Sequence, residues 1–396
     1  MRRAAWGVAA TVAAAGALGA SVFVLVRDSS PPEQRGHPPA STGATTAPED
    51  DAPSPSTLLV WTSGGLPPDF PEQVAAVGGL ERTTVVTGDI VDLTATFDER
   101  GQAVDAPPPG MRIPLDALAI DPSAYPAFVD EPARNPLARL DPGEALLGET
   151  SARLRRLGTG GVVELANGAR LTVAGVVDDA AVGAAELVVA TATGPGAGIT
   201  TPRFLLLAYT GDRATTEQAI AALLPDTPVR FRAPEEARFL RHADLVLPQA
   251  LVKERFGEFA YAPGADRFVT VDPAYEDTHV VTATVPILGA ITCHRDVIPA
   301  LEGALRELEE RGLSALVDPA GYQGCFVPSV IPGSGGLSHH SWGIAIDVNF
   351  LPNPTGLPSY ADPQLIDVME RWGFVAGAKF LEVDPGHFEY VRPPDA

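Results

Sequence analysis

The sequence predicts an α+β protein, on three observations. Short apolar runs of strand length alternate with Gly-, Pro- and Asn-rich punctuation. Two apolar stripes of helical period each follow a proline and stop at a glycine. Near the C-terminus an alternating stretch reads as a strand beside clustered histidines and aspartates. With 396 residues, the chain can hold two globular portions after a leader and a spacer.

Taken in order, Met1-Arg2-Arg3 is a basic head followed by Ala4 to Val26, an uncharged run rich in Ala, Val and Leu. At about 1.5 Å per helical residue this run is long enough to cross a bilayer. Residues 1–27 are therefore expected to form a single transmembrane helix; the alternative is a signal cleaved near Ala17-Leu18-Gly19-Ala20, which would leave a secreted protein. Arginines ahead of the span place the N-terminus inside and the bulk of the chain outside the membrane. Residues 28–55 are Pro, Ser, Thr, Gly and acidic residues, too polar to bury a core, and are expected to be a disordered linker.

Residues 56–237 read as a strand-rich α+β domain. Leu58 to Trp61, Thr83 to Val86 and Ile90 to Leu93 are short strand signals, the last two separated by Gly88-Asp89. Glu149 to Leu157 reads as a helix. Val162 to Leu165 and Leu171 to Val177 flank Ala166-Asn167-Gly168, a strong hairpin signal. Phe204 to Leu207 and Val229 to Phe231 are further strands, with a helix over Thr215 to Leu224 between them.

Residues 248–396 form the second portion. Ile298 to Arg311 has Pro299 at its first turn, the stripe Ile298, Leu301, Leu305 and Leu308, and Gly312 as its stop. Asp362 caps a second helix that carries Leu365, Ile366 and Met369. Cys293 stands just before the first of these helices and Cys325 just before the Ser338 stretch; in an exported protein they favour a disulfide, with two free buried thiols as the alternative.

Ser338 to Asn349, SHHSWGIAIDVN, carries Ser338, His340, Gly343, Ala345 and Asp347 in the pattern S-x-H-x-x-G-x-A-x-D, and Asp384 to Glu389, DPGHFE, carries D-x-x-H. Three of the seven histidines lie in these stretches. Neutral imidazole and carboxylate are good zinc ligands, and a catalytic zinc commonly takes three protein ligands and leaves a fourth position open. His340, Asp347 and His387 are the expected ligands. An extended segment from Gly343 would bury Ile344, Ile346 and Val348 and turn Asp347 the other way. Asp384 is then left over as a carboxylate able to act as a base toward water.

On these motifs the stretch from about Val252 to Val391 resembles the zinc D,D-carboxypeptidase and L,D-endopeptidase family that includes VanY-like enzymes. The resemblance implies a zinc peptidase domain with a small antiparallel sheet, acting on peptidoglycan stem peptides. It implies His340, Asp347 and His387 as zinc ligands and Asp384 as the catalytic base, with Ser338, Ser329 and Trp342 as substrate contacts. Two runs depart from the family: Ser329 stands where relatives place an arginine after the proline of G-C-[FY]-x-P-R, and Ala376 to Phe380 replaces W-G-G-x-W. Arg295 and Lys379 are the cations that could stand in. Ala145 to Val189 resembles the extracytoplasmic domain of MacB- and FtsX-type permeases, which implies an envelope-protein partner for residues 56–237; an unrelated spacer domain is the alternative reading.

A net charge of −22 argues against nucleic acid and against docking on anionic lipid. The expected activity is that of a membrane-anchored D-alanyl-D-alanine carboxypeptidase-like enzyme facing outward. The alternative is a zinc-containing peptidoglycan-binding or regulatory protein with weak catalysis.

Overall fold

In the computed structural model the described residues are 56–242, 247–333, 335–350, 352–353, 355–356, 361–380 and 383–392. The transmembrane and linker expectations for 1–27 and 28–55 lie outside them. Among the described residues no helix is long and apolar enough to cross a membrane.

The apolar runs of the first portion form one ten-stranded mixed sheet: β1 (Ser56–Thr62), β2 (Leu80–Phe97), β3 (Ala103–Asp105), β4 (Ile113–Ile120), β5 (Glu144–Gly148), β6 (Val162–Leu165), β7 (Arg170–Val177), β8 (Leu187–Ala190), β9 (Pro202–Tyr209) and β10 (Val229–Arg232). The strand order is β10-β1-β9-β2-β4-β8-β5-β7-β6, and β6 pairs back onto β2. Six strands thus close into a barrel. Its interior holds Leu93, Leu115, Leu147, Val163, Val173 and Leu187, all essentially fully buried. The N-terminal half of β2 leaves the barrel to pair with β9.

That long strand corrects the expectation of two strands broken at Gly88-Asp89. Gly88 makes no turn. A β-carbon there would lie 3.0 Å from Leu118 and 3.1 Å from Arg203, so glycine lets a neighbouring strand and side chain close in. Asp89 is held by the backbone amides of Thr200 and Thr201 and by Arg203 at 3.1 Å. The irregularity appears as a register shift between Val86 and Thr87 against β9, while pairing with β4 runs on unbroken. The hairpin at Asn167-Gly168 forms as expected, with Gly168 at φ 87°. The helix expected over Thr215 to Leu224 is shifted to Arg213–Ala221, because Asp212 caps it through Thr215 N at 2.8 Å.

The second portion contains two hairpins, β11 (Tyr261–Pro263) with β12 (Val269–Val271) and β13 (Val280–Val285) with β14 (Gly289–His294), and a three-stranded antiparallel sheet, β15 (Ala345–Asp347), β17 (His387–Tyr390) and β16 (Phe374–Ala376), with β17 in the middle. The helices Ile298–Glu310 and Pro363–Arg371 match their expected bounds closely, and both bury their apolar stripes in one core with Phe374, Phe388 and Trp342. Asp362 caps the second through Gln364 N at 2.8 Å.

The two portions pack against each other along a polar seam. Arg112 and Tyr261 exchange backbone hydrogen bonds of 2.9 and 2.8 Å, and the Tyr261 hydroxyl donates to Asp92 at 2.8 Å. Lys253, on the helix Gln249–Phe256, is buried with its ammonium 2.8 Å from the equally buried Glu186. Arg155, fully buried on the barrel side, meets Glu258 and Asp105.

Cys293 and Cys325 form a disulfide, with 32 residues of separation, that ties the end of β14 to the loop ahead of the motif. A loop of that length is worth about 2–4 kcal/mol on chain-entropy grounds. Replacing both cysteines by serine is expected to lower unfolding stability by that amount, measured by urea denaturation. An unchanged midpoint would contradict it.

Candidate metal centre

Local backbone chemistry places each donor. Ser338 accepts from the His340 amide at 3.3 Å and so caps the short 3₁₀ turn His339–Ser341 that carries His340. Gly343 ends this turn at φ 70°, where a β-carbon would lie 2.6 Å from His294 N, so no other residue fits without displacing β14. The chain then enters β15, burying Ile344, Ile346 and Val348 and leaving Asp347 facing the other way as expected. Register does the rest. In the β15–β17 pairing Asp347 lies directly opposite His387.

The three donors converge. His340 Nε2 lies 3.3 Å from His387 Nδ1 and 3.3 Å from Asp347 Oδ1, and His387 Nδ1 lies 2.9 Å from that same oxygen. One ligand atom from each residue falls within 4.8 Å of the others. Ligand bonds of about 2.0–2.1 Å in a tetrahedral site would put ligand atoms roughly 3.3 Å apart, so the spacing suits an ion of zinc's size. His340 Nδ1 lies 3.0 Å from the carbonyl of Cys325, which fixes that ring with Nε2 toward the cluster. The disulfide therefore anchors the very residue that orients a donor.

The electrostatics follow from crowding. Burial pushes Asp347 upward, but hydrogen bonds from His340 and His387 outweigh it and hold its carboxyl well below the usual range. Burial works against a charge on His387, yet Asp347 and Glu389 raise it to about 10. Glu389 is buried, which works to raise it, but His339 and His387 hold it below the ordinary carboxylate range. Asp384 behaves differently. Burial raises it above its usual value, only partly offset by His387.

Asp384 sits in the turn leading into β17, where its carbonyl accepts from His387 N at 3.1 Å. Its Oδ1 is buried without a hydrogen-bond partner, and it interacts electrostatically with all three donors. Gly377 permits this approach: a β-carbon there would lie 2.5 Å from the Asp384 carbonyl oxygen and 3.1 Å from His387 Cβ. An orphaned buried carboxylate oxygen beside a metal-type donor set fits a role toward water.

The expected substrate contacts fare less evenly. Ser338 is half-buried and serves as the cap just described. Ser329 is buried: its amide donates to Ser341 Oγ at 3.0 Å and its carbonyl accepts from Ser338 N at 2.9 Å. Trp342 requires correction, since it is 1% exposed, with its ring against Phe259 and its Nε1 donating to the Gly257 carbonyl at 3.0 Å. It is a core residue. Of the expected substitute cations, Lys379 is paired with Glu370. Sequence reasoning missed Glu389 and His339 as neighbours of the site, although His387 and Glu389 stand two apart in a strand and so share a face.

Residues 332–390 match the family model of D-alanyl-D-alanine carboxypeptidase. This stretch contains all three donors and Asp384. No curated protein matches the chain. Among solved structures, the periplasmic region of MacB from Actinobacillus actinomycetemcomitans is similar at 11% identity, covering 46% of this chain and 90% of that one with a TM-score of 0.31. The extracellular domain of the noncanonic ABC-type transporter YknZ from Gram-positive bacteria is similar at 14% identity, covering 45% of this chain and 98% of that one with a TM-score of 0.30.

Proposed function

We propose that the chain is a zinc metallopeptidase acting on peptidoglycan stem peptides, anchored by residues 1–27 with its bulk outside the membrane. The observation that carries this reading is the convergence of His340, Asp347 and His387 beside the unpartnered oxygen of Asp384, within the stretch matched by the carboxypeptidase family model. When bound by these three residues, zinc supplies Lewis acidity and lowers the pKa of water toward about 7. Asp384 takes a proton from the attacking water and returns it to the leaving amine. Burial raises its pKa above the usual carboxylate value, the direction that favours a group able to take up and return a proton. Residues 56–237 hold the peptidase portion through the polar seam and present a surface for an envelope partner.

A second reading rests on Ser329 and on the pairing of Lys379 with Glu370: the site binds stem peptide but turns it over slowly, for want of an arginine at position 329. Digestion of purified peptidoglycan, with and without zinc and read by mass spectrometry, separates the two. Release of D-alanine or of an internal fragment, absent in His387→Ala, supports the peptidase. Stoichiometric zinc with no product supports the binding protein.

Zinc affinity is expected to rise with pH. His387 without metal holds its proton up to about pH 10, and a ligand must be deprotonated to bind. Each metal bound therefore displaces about one proton from neutral pH upward, and affinity rises about tenfold per pH unit until that pKa. Calorimetry in buffers of different ionisation enthalpy measures the proton count. Release of no proton at pH 7 would contradict the linkage.

A further inference from the structure

Behind His387 lies a second line of contacts that the three donors do not require. The ring's other nitrogen, Nε2, is 3.2 Å from Glu389 Oε1, and Glu389 Oε2 is 2.9 Å from His339 Nδ1. His339, Glu389 and His387 are 6%, 3% and 8% exposed, so water does not compete for these atoms. Neither Glu389 Oε2 nor His339 Nδ1 has a hydrogen-bond partner, so the 2.9 Å approach between them is a close polar contact with nothing competing for either atom. Backbone structure fixes both ends. Glu389 lies in β17 opposite the small side chain of Ala345, and the His339 carbonyl accepts from Trp342 N at 3.1 Å and Ile344 N at 3.3 Å.

A buried carboxylate is costly unless it is paired. Glu389 has two partners, one on each oxygen, and one of them is a metal-type donor. Hydrogen bonds of this kind select which ring nitrogen faces a metal and hold the ring's orientation. Asp347 and Glu389 together also match the charge of one divalent cation.

We infer that Glu389 and His339 are positioning residues for the metal centre: Glu389 holds His387 so that Nδ1 is its ligand atom, and His339 holds Glu389. This inference rests on the zinc reading above. It makes the doubled histidine of Ser338-His339-His340-Ser341 two residues with different duties, His340 a donor and His339 the far end of a chain that reaches the opposite donor through Glu389.

The test uses the full chain in detergent, with zinc affinity measured by competition against a chromogenic chelator. Histidine ¹⁵N shifts, read on selectively labelled protein, report the metallated nitrogen. Glu389→Gln is expected to weaken zinc binding about 10- to 100-fold, and His339→Leu to weaken it in the same direction. His339→Asn, which keeps an N–H donor near the Nδ1 position, is expected to restore most of that loss. In the wild type the zinc-linked shift of His387 is expected at Nδ1. Wild-type zinc affinity in both Glu389→Gln and His339→Leu, with only melting temperature lowered, would make the pair a plain core contact and overturn the inference. A wild-type shift at Nε2 would overturn it even if the variants failed to fold. A wild type that binds no zinc would instead remove the metal reading itself, and the relay with it.

Discussion

Replacing Lys253 by alanine is expected to destabilise the globular part of the chain by about 3–5 kcal/mol, the usual cost of stranding a buried charge. The Lys253 and Glu186 side chains are both 0% exposed, and Glu186 also accepts from Gln249 Nε2 at 2.6 Å and from Asp116 N at 3.0 Å. Lys253 also meets the carbonyl of Pro114 and lies 3.3 Å from Glu258. With the ammonium gone, Glu186 keeps only neutral donors. Removing both charges, as Lys253→Met with Glu186→Gln, is expected to recover part of the loss, because no charge is left stranded and the glutamine still accepts from Asp116 N and Gln249 Nε2. Urea denaturation followed by tryptophan fluorescence measures both. A loss below about 1 kcal/mol for Lys253→Ala would contradict the burial argument. The seam also carries the Arg112–Tyr261 backbone pair, so the single variant is expected to loosen the C-terminal portion from the barrel.

Asp384→Asn is expected to lower stem-peptide hydrolysis by about 10²–10⁴-fold, the range for losing a general acid–base group, while zinc content stays at wild-type level. The variant keeps the shape of the side chain and removes its basicity. Asp384 is outside the three-donor set, and the Asp384 carbonyl that accepts from His387 N belongs to the backbone, so the donors need not move. A normal rate with zinc in place would remove Asp384 from the proton transfers.

The donors are legible in the sequence because their spacing is local: the turn after Ser338 and the alternation from Ile344 to Asp347 follow from short-range rules. That Asp347 faces His387, 40 residues on, is a matter of register between β15 and β17, and no local pattern encodes it. The closed barrel is hidden for the same reason. It depends on β6 returning to β2 and on parallel β4–β8 and β5–β7 pairs, which are long-range contacts. Gly88-Asp89 imitates a turn because its real function, close packing against Leu118 and capture of the Thr200 and Thr201 amides, lies in β4 and in the segment leading into β9. Trp342 shows the limit of reading a motif aromatic as a substrate contact, since its partner is the Gly257 carbonyl 85 residues earlier. The Lys253–Glu186 pair, 67 residues apart, likewise gives no signal until both are seen buried.

His340, Asp347 and His387 are proposed to hold one zinc ion. Crystals of residues 56–396 grown with zinc, measured at the zinc absorption edge, are the direct test. One anomalous peak is expected, bonded to His340 Nε2, Asp347 Oδ1 and His387 Nδ1 and lost in Asp347→Ala. Zinc-loaded crystals with no peak there, or with a peak held by other residues, would contradict it.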